Sequence, residues 1–227
     1  RLCVTKAQTF SVCNFLLKFV VNTYKGKKKM KQDDLRQALI DGTIHVIAQN
    51  GLDKATTKAI SNATGINEVY IYRLFENKEK LFEKAFEHLD KQLLDKCLLH
   101  IDVMYMGEMD YETRCRIYFL AMWRFLVGNK DEILMYVRYY YSPYFKKYST
   151  EKHKQRFIPL VNKFKDAFKD EADVWMILNH ILNVMLDFAV MVHNDEMPKK
   201  DNYTEHVFRV IYTSVKQYFR NSKENDS

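Results

Sequence analysis

The stretch TGINEVYIYRLFENKEKL, residues 64–81, decides how the rest of the chain is read. Gly65 breaks the chain, Asn67 is a helix-capping residue type, and a short apolar-periodic run follows. Residues two apart do not share a helix face. With Ile71, Leu74 and Phe75 turned inward, Tyr70 and Arg73 face out. A helix of roughly two turns that turns large polar aromatics outward holds them toward a partner. Asn77 then caps a longer helix, striped by Leu81, Phe82, Ala85, Leu89 and Leu93.

Upstream, Asp33 and Asp34 supply a cap and favourable charge for a helix start. Leu35, Ala38, Leu39, Gly42 and Val46 recur at helical spacing, and Gly51 is placed to end that helix. Thr56 and Thr57 open a short second helix running through Ile60 and Ala63. A leading helix followed by two short ones around a glycine turn is a helix-turn-helix pattern. The second helix of such a pair lies in the DNA major groove. Here that helix is 67–74.

Downstream, MYMGEMD (104–110) reads as a loop, and helices are expected at 111–127, 130–141, 150–168, 171–193 and 204–221. The breaks are GNKD (128–131), SPYFKKYS (142–149) and NDEMPKKDN (194–202). Trp175, Leu178, Ile181, Leu182, Met185, Phe188 and Ala189 give the fourth of these helices a broad apolar face. Val207, Val210, Ile211, Val215 and Phe219 stripe the fifth. Two such helices pack antiparallel, and a wide apolar face serves a partner beyond its own chain.

The totals fit this reading. The chain has 227 residues, 47% hydrophobic and 14% aromatic, with only 3 Pro and 6 Gly, a composition that favours helices and buries a core. Of the 36 Lys and Arg, seven lie in residues 1–29 with no acid among them, so the remaining 29 balance the 29 acidic residues. The formal charge of +7 therefore resides in the first 29 residues. Residues 31–80 hold seven basic and seven acidic side chains, so any DNA affinity depends on local placement of Lys58, Arg73 and Lys78, and weak non-specific binding is expected. Cys3, Cys13, Cys97 and Cys115 form no CxxC pair, which fits free thiols in a reducing compartment.

Residues 1–29 contain one short apolar run, FSVCNFLLKFVV (10–21), interrupted by Asn14 and Lys18 and shorter than the roughly 20 residues a spanning helix needs. The favoured reading is an upstream-translated or non-native leader with Met30 as the start; a membrane-proximal anchor and a natural N-terminal arm are the alternatives.

Residues 34–81 resemble the tetracycline-repressor (TetR) family of one-component regulators. VIAQNGLDKATTKAIS (46–61) resembles the end of the family's first helix, its glycine, and the threonines opening helix two. TGINEVYIYRLFENKEKL resembles its turn, its recognition helix and the Lys-Glu opening helix four. The resemblance implies an all-α fold, with a three-helix DNA-binding domain over 30–78, a helical ligand-binding and dimerisation domain over 79–221, and a disordered tail over 222–227. It implies DNA contacts from Thr57 and Lys58 at the start of helix two, from Asn67, Glu68, Val69, Tyr70, Tyr72 and Arg73 on the recognition helix, and from Lys78. Tyr72 stands at the family's usual tyrosine, and Ile66, Ile71 and Phe75 at core positions. Val69 departs from a frequent Gly or Pro, Tyr70 from a frequent Thr, and Leu74 from a usual His or Tyr. Glu68 is an acceptor for cytosine N4 but repels phosphates.

The resemblance also implies a homodimer on a palindromic double-stranded DNA operator, released by a small-molecule effector. Candidate pocket residues are Tyr118, Met122, Trp123 and Phe125 in IYFLAMWRFL (117–126), Tyr139 in RYYYSPYF (138–145), and the polar Asn179, His180 and Asn183 on an apolar helix. Candidate dimer-interface residues are Leu182, Met185, Phe188, Ala189, Val207, Ile211 and Val215. His180 and Asp187, seven apart with His193 nearby, are read as capped or interface groups rather than metal ligands. No phosphate loop, HExxH or Ser/His/Asp arrangement is present, so no catalysis, cofactor or metal is expected. The overall expectation is a cytoplasmic, ligand-responsive repressor with no membrane association. Its rivals are a helical interaction module of the same fold without specific DNA binding, and a membrane-associated protein anchored by residues 1–29.

Overall fold

The computed structural model describes residues 31–220, and the expectations for residues 1–29 and 222–227 lie outside them. By packing, the chain divides into residues 1–36 and 37–227. Of the first unit only 31–36 are described, and they hold the opening of α1 (Gln32–Asn50).

Within the second unit the local signals act as their chemistry requires. Gly51 adopts φ 81° and donates its N–H to Ile47 O at 2.9 Å, closing α1 in a conformation that side chains with a Cβ resist. The Thr56 hydroxyl accepts from Ala59 N and starts α2 (Thr57–Thr64), which Gly65 ends at φ 67°. Next come α3 (Val69–Phe75) and α4 (Lys78–Leu99), whose cap Asn77 accepts from Lys80 N at 2.8 Å. A 3-10 turn, Ile101–Tyr105, lies just ahead of and partly within the expected loop.

The remaining helices are α5 (Tyr111–Gly128), α6 (Lys130–Tyr140), α7 (Pro143–Tyr148), α8 (Thr150–Phe164), α9 (Val174–His193) and α10 (Asp201–Val215). Helix α7 corrects the reading of SPYFKKYS as a break. Ser142 is its N-cap and Pro143 its first residue, a pairing that starts a helix because proline lacks only an N–H that is unpaired there anyway. Helices α8 and α10 end earlier than expected, each in a 3-10 turn, Lys165–Ala167 and Lys216–Tyr218. Beyond those turns Phe168 and Phe219 form an isolated antiparallel bridge with rings stacked 5.0 Å apart. The described residues contain no β-strand.

Helix α9 packs against α5, α6, α8 and α10, while α4 packs against α3, α6, α7 and α8. The core around α4 is aromatic: Phe86 stacks on Tyr139 at 4.7 Å and meets Tyr136 in a tilted pair at 5.0 Å. It also encloses charge. Asp90 is fully buried and accepts from Tyr136 Oη at 3.0 Å, from His153 Nδ1 at 2.8 Å and from Arg156. Three helices, α4, α6 and α8, thus converge on one carboxylate. Its burial is tolerable only because each oxygen has a donor and one donor is a guanidinium.

Candidate functional site

The helix-turn-helix is set by one close approach. A Cβ on Gly42 of α1 would lie 2.1 Å from Thr64 Cγ2, so the missing side chain lets α2 pack against α1. On α3, Ile71, Leu74 and Phe75 are buried, and the outward face carries Val69 (66% exposed), Tyr70, Tyr72 (55% exposed) and Arg73. Leu74 is a core residue here, which explains an apolar side chain where a polar one is usual. Asn67 is exposed and its Oδ1 accepts from Val69 N at 3.0 Å, fixing the entry to α3. The Thr57 hydroxyl donates to Glu68 Oε2 at 2.5 Å, joining the first residue of α2 to the entry of α3. Lys58 is exposed, and Lys78 holds its ammonium 5.4 Å from the centre of the Phe82 ring. Outward aromatics, an arginine and two lysines around short helix ends form a surface that stacks, donates hydrogen bonds and neutralises phosphate.

Among α4, α5, α8, α9 and α10 lie two apolar cavities of about 60 and 80 Å³ that share Tyr118, Phe164, Leu178, Ile181 and Met185 as walls. Of the expected pocket residues, Tyr118, Met122 and Asn179 line the first cavity. The others do not. Trp123 donates to Thr204 Oγ1 and stacks on Phe119. Phe125 lies under Lys96, Tyr139 is bonded to Ser149, and exposed His180 is bonded to Ser214. Asn183 instead shares the Tyr140 hydroxyl with Asn179. Sequence reasoning missed His153, Phe157 and Trp175 on the same wall. Burial pushes the thiols of Cys97 and Cys115, which line the two cavities, up to about 12, so both are unreactive neutral groups. Burial also raises Tyr118, whose hydroxyl donates to Cys97 O at 3.2 Å.

Residues 39–85 match the family model for bacterial regulatory proteins of the tetR family. Residues 39–85 are thus a tetR-family segment. Its fold matches that of a TetR-family transcription regulator from Marinobacter aquaeolei VT8, with TM-score 0.66 at 16% identity over 85% of this chain and all of that one. A tetR-family transcription regulator from Shewanella sp. PV-4 aligns with TM-score 0.63 at 14% identity, with the same coverage. Among curated proteins, the nucleoid occlusion factor SlmA of Haemophilus influenzae (strain PittGG) is 30% identical over 70 residues, 30% of this chain and 32% of that protein. The chain thus spans about a third of the length of that relative. These matches establish the fold of a TetR-family DNA-binding regulator.

The residues expected at a dimer interface sort by burial. Met185, Ala189, Val207, Ile211 and Val215 are buried in their own protomer, and Met185, Ile211 and Val215 line the second cavity. Leu182 lines the first cavity, and Phe188 is half-buried. The strongest apolar stripe therefore serves the internal core. The outer faces of α9 and α10 instead carry Met176 (61% exposed), Val210 (54% exposed) and Tyr203. Helix α9 is long and apolar enough to cross a membrane by length and composition, yet it packs among four helices. His180 and His193 are occupied by Ser214 and by Leu126 O respectively.

Proposed function

We propose that the chain is a cytoplasmic, ligand-responsive repressor that binds a palindromic operator as a homodimer. Residues 30–78 act as the DNA-binding part and 79–221 as the sensor and dimerisation part. The observation that carries this reading is the outward set on α3, Val69, Tyr70, Tyr72 and Arg73, held over a buried Ile71, Leu74 and Phe75. Large apolar or aromatic side chains have no reason to stand in water on a seven-residue helix unless a partner covers them. Thr57, Lys58, Asn67, Glu68 and Lys78 flank that set and complete the proposed contact surface. Dimerisation is assigned to the outer faces of α9 and α10 around Met176 and Val210. The effector is assigned to the paired cavities, and release follows if the ligand favours a conformation whose two recognition helices miss half-sites one helical turn apart.

The deciding experiment is selection of bound sequences from random duplexes with the purified protein. An enriched palindrome supports the proposal. A folded dimer that enriches nothing favours the interaction-module reading instead. A second reading, a nucleoid occlusion factor, is favoured by the identity with the SlmA proteins. Mapping bound sites along the chromosome separates the two: a repressor concentrates at one or a few promoters, whereas binding spread widely over the chromosome favours the second reading.

A further inference from the structure

We propose that His153 is the polar recognition point of the first cavity, and that this cavity takes a flat aromatic ligand bearing a hydroxyl group. The proposal rests on the sensor reading above and names the ligand class of that same site. His153, on α8, is 3% exposed and lies on the cavity wall. Its Nδ1 is 2.8 Å from Asp90 Oδ1 on α4. A carboxylate only accepts, so the pairing selects the tautomer with the proton on Nδ1, which leaves the lone pair on Nε2. The other oxygen of Asp90 is held by the Arg156 guanidinium.

Nε2 faces away from Asp90, and no hydrogen bond from it to a described residue is present. It is a fixed acceptor in an otherwise apolar chamber. The other polar groups on that wall are partly engaged: Tyr118 Oη donates to Cys97 O, and Asn179 Oδ1 accepts from Tyr140 Oη. That leaves Asn179 Nδ2 as a donor. An acceptor and a donor on one wall suit a hydroxyl, which donates to His153 and accepts from Asn179. The faces of Phe157, Phe164 and Trp175 supply the aromatic surroundings. A carboxylate does not suit this wall, because it would meet the lone pair of Nε2 and Asp90 behind it.

The test is a titration of the full chain followed by tryptophan fluorescence. Trp175 lines the cavity, whereas Trp123 is bonded to Thr204 and is not part of its wall. The probes are 4-ethylphenol, 4-ethyltoluene and 4-ethylbenzoate. The phenol is expected to bind about tenfold more tightly than the hydrocarbon, one neutral hydrogen bond's worth, with the benzoate weakest. His153→Phe is expected to bring the phenol down to the affinity of the hydrocarbon. Should that variant fail to fold, the ranking of the three probes on the wild-type protein decides alone. Equal binding of phenol and hydrocarbon, tightest binding of benzoate, or a preference that survives His153→Phe would overturn the role of His153 and leave the sensor reading standing. Binding of none of the three up to their solubility would overturn the sensor cavity, and the proposal with it.

Discussion

The Thr57 hydroxyl sits 2.5 Å from Glu68 Oε2, so the two side chains placed nearest the start of each helix of the DNA-binding pair are bonded to each other. Their first job in the free protein is to join α2 to α3. Glu68 is also a negative charge on a surface proposed to meet phosphates. Glu68→Gln keeps a hydrogen-bonding group and removes the charge. Non-specific affinity for a random duplex should rise about two- to fivefold at low salt and converge on wild type at high salt, since the effect is electrostatic. Fluorescence anisotropy across a salt series measures it, and an affinity that falls would mean that the carboxylate is a required acceptor.

Tyr72 is exposed, and the Lys78 ammonium lies 5.4 Å from the centre of the Phe82 ring. Combining Tyr72→Phe with Lys78→Ala should weaken binding to the selected operator by about tenfold or more, through lost phosphate contacts. The cost in stability should be small, about 1 kcal/mol, the size of a cation–π contact made by a half-buried lysine. Unchanged operator binding with an unchanged melting temperature would remove both residues from the contact surface.

Gly42 and Thr64 meet where α1 crosses α2. Gly42→Ala should destabilise the protein by about 1–3 kcal/mol, since overpacking outweighs the better helix propensity of alanine. Adding Thr64→Ser removes the obstructing methyl and keeps the hydroxyl that donates to Ile60 O. The double variant should therefore melt above the single one; a double variant no better than the single would place the strain elsewhere.

Arg138 of α6 donates from Nη1 to the carbonyls of Ile47 and Ala48, in the last turn of α1. Ile47 O already accepts from Gly51 N, Ala48 O lies among the last-turn carbonyls that helices leave open, and a cation beside both opposes the negative end of the helix dipole. Arg138→Ala should cost about 1–2 kcal/mol in urea unfolding. Arg138→Lys should recover only part of it, because a lysine side chain lacks the guanidinium's reach and planar donor geometry.

His193 is held below its ordinary value of 6.5, chiefly by burial; its bond to Leu126 O opposes that, and Lys130 and Lys199 add to it. A depressed histidine contributes stability fully above the unfolded value and loses it as pH falls. Unfolding free energy should decline as pH drops below about 6.5, by at most about 1.4 kcal/mol per pH unit from this group, and the melting temperature with it. His193→Gln, which retains an N–H for Leu126 O, should flatten that decline. A slope unchanged in the variant would assign the pH dependence to other groups.

Much of the DNA-binding half was legible because its signals are local. Gly51, Thr56, Gly65 and Asn77 each act within a few residues of themselves, and the inward or outward sense of Tyr70, Ile71 and Arg73 follows from helical periodicity alone. The C-terminal half was legible in five of the six helices described after residue 102, with α7 missed, but not in which residues meet. His153 lies in TEKHKQRF (150–157), a charged stretch that reads as solvent-facing, and nothing local marks the ring as buried. The expected dimer stripe falls largely in the chain's own core for a related reason: α9 is apolar on most sides, so hydropathy does not distinguish the face turned to its own core from the face left open.

By itself, then, the amino-acid sequence determined the helical class, the turn chemistry and the exposed side of the recognition helix, because capping, glycine conformation and a 3.6-residue period are properties of short segments. Only the tertiary structure decided that Glu68 answers Thr57, that Asp90 collects donors from α6 and α8, and that Met185, Ile211 and Val215 line a cavity rather than an outer face. Those pairings join residues far apart in the chain, and they are settled by how whole helices pack and by the need to satisfy every buried polar group at once.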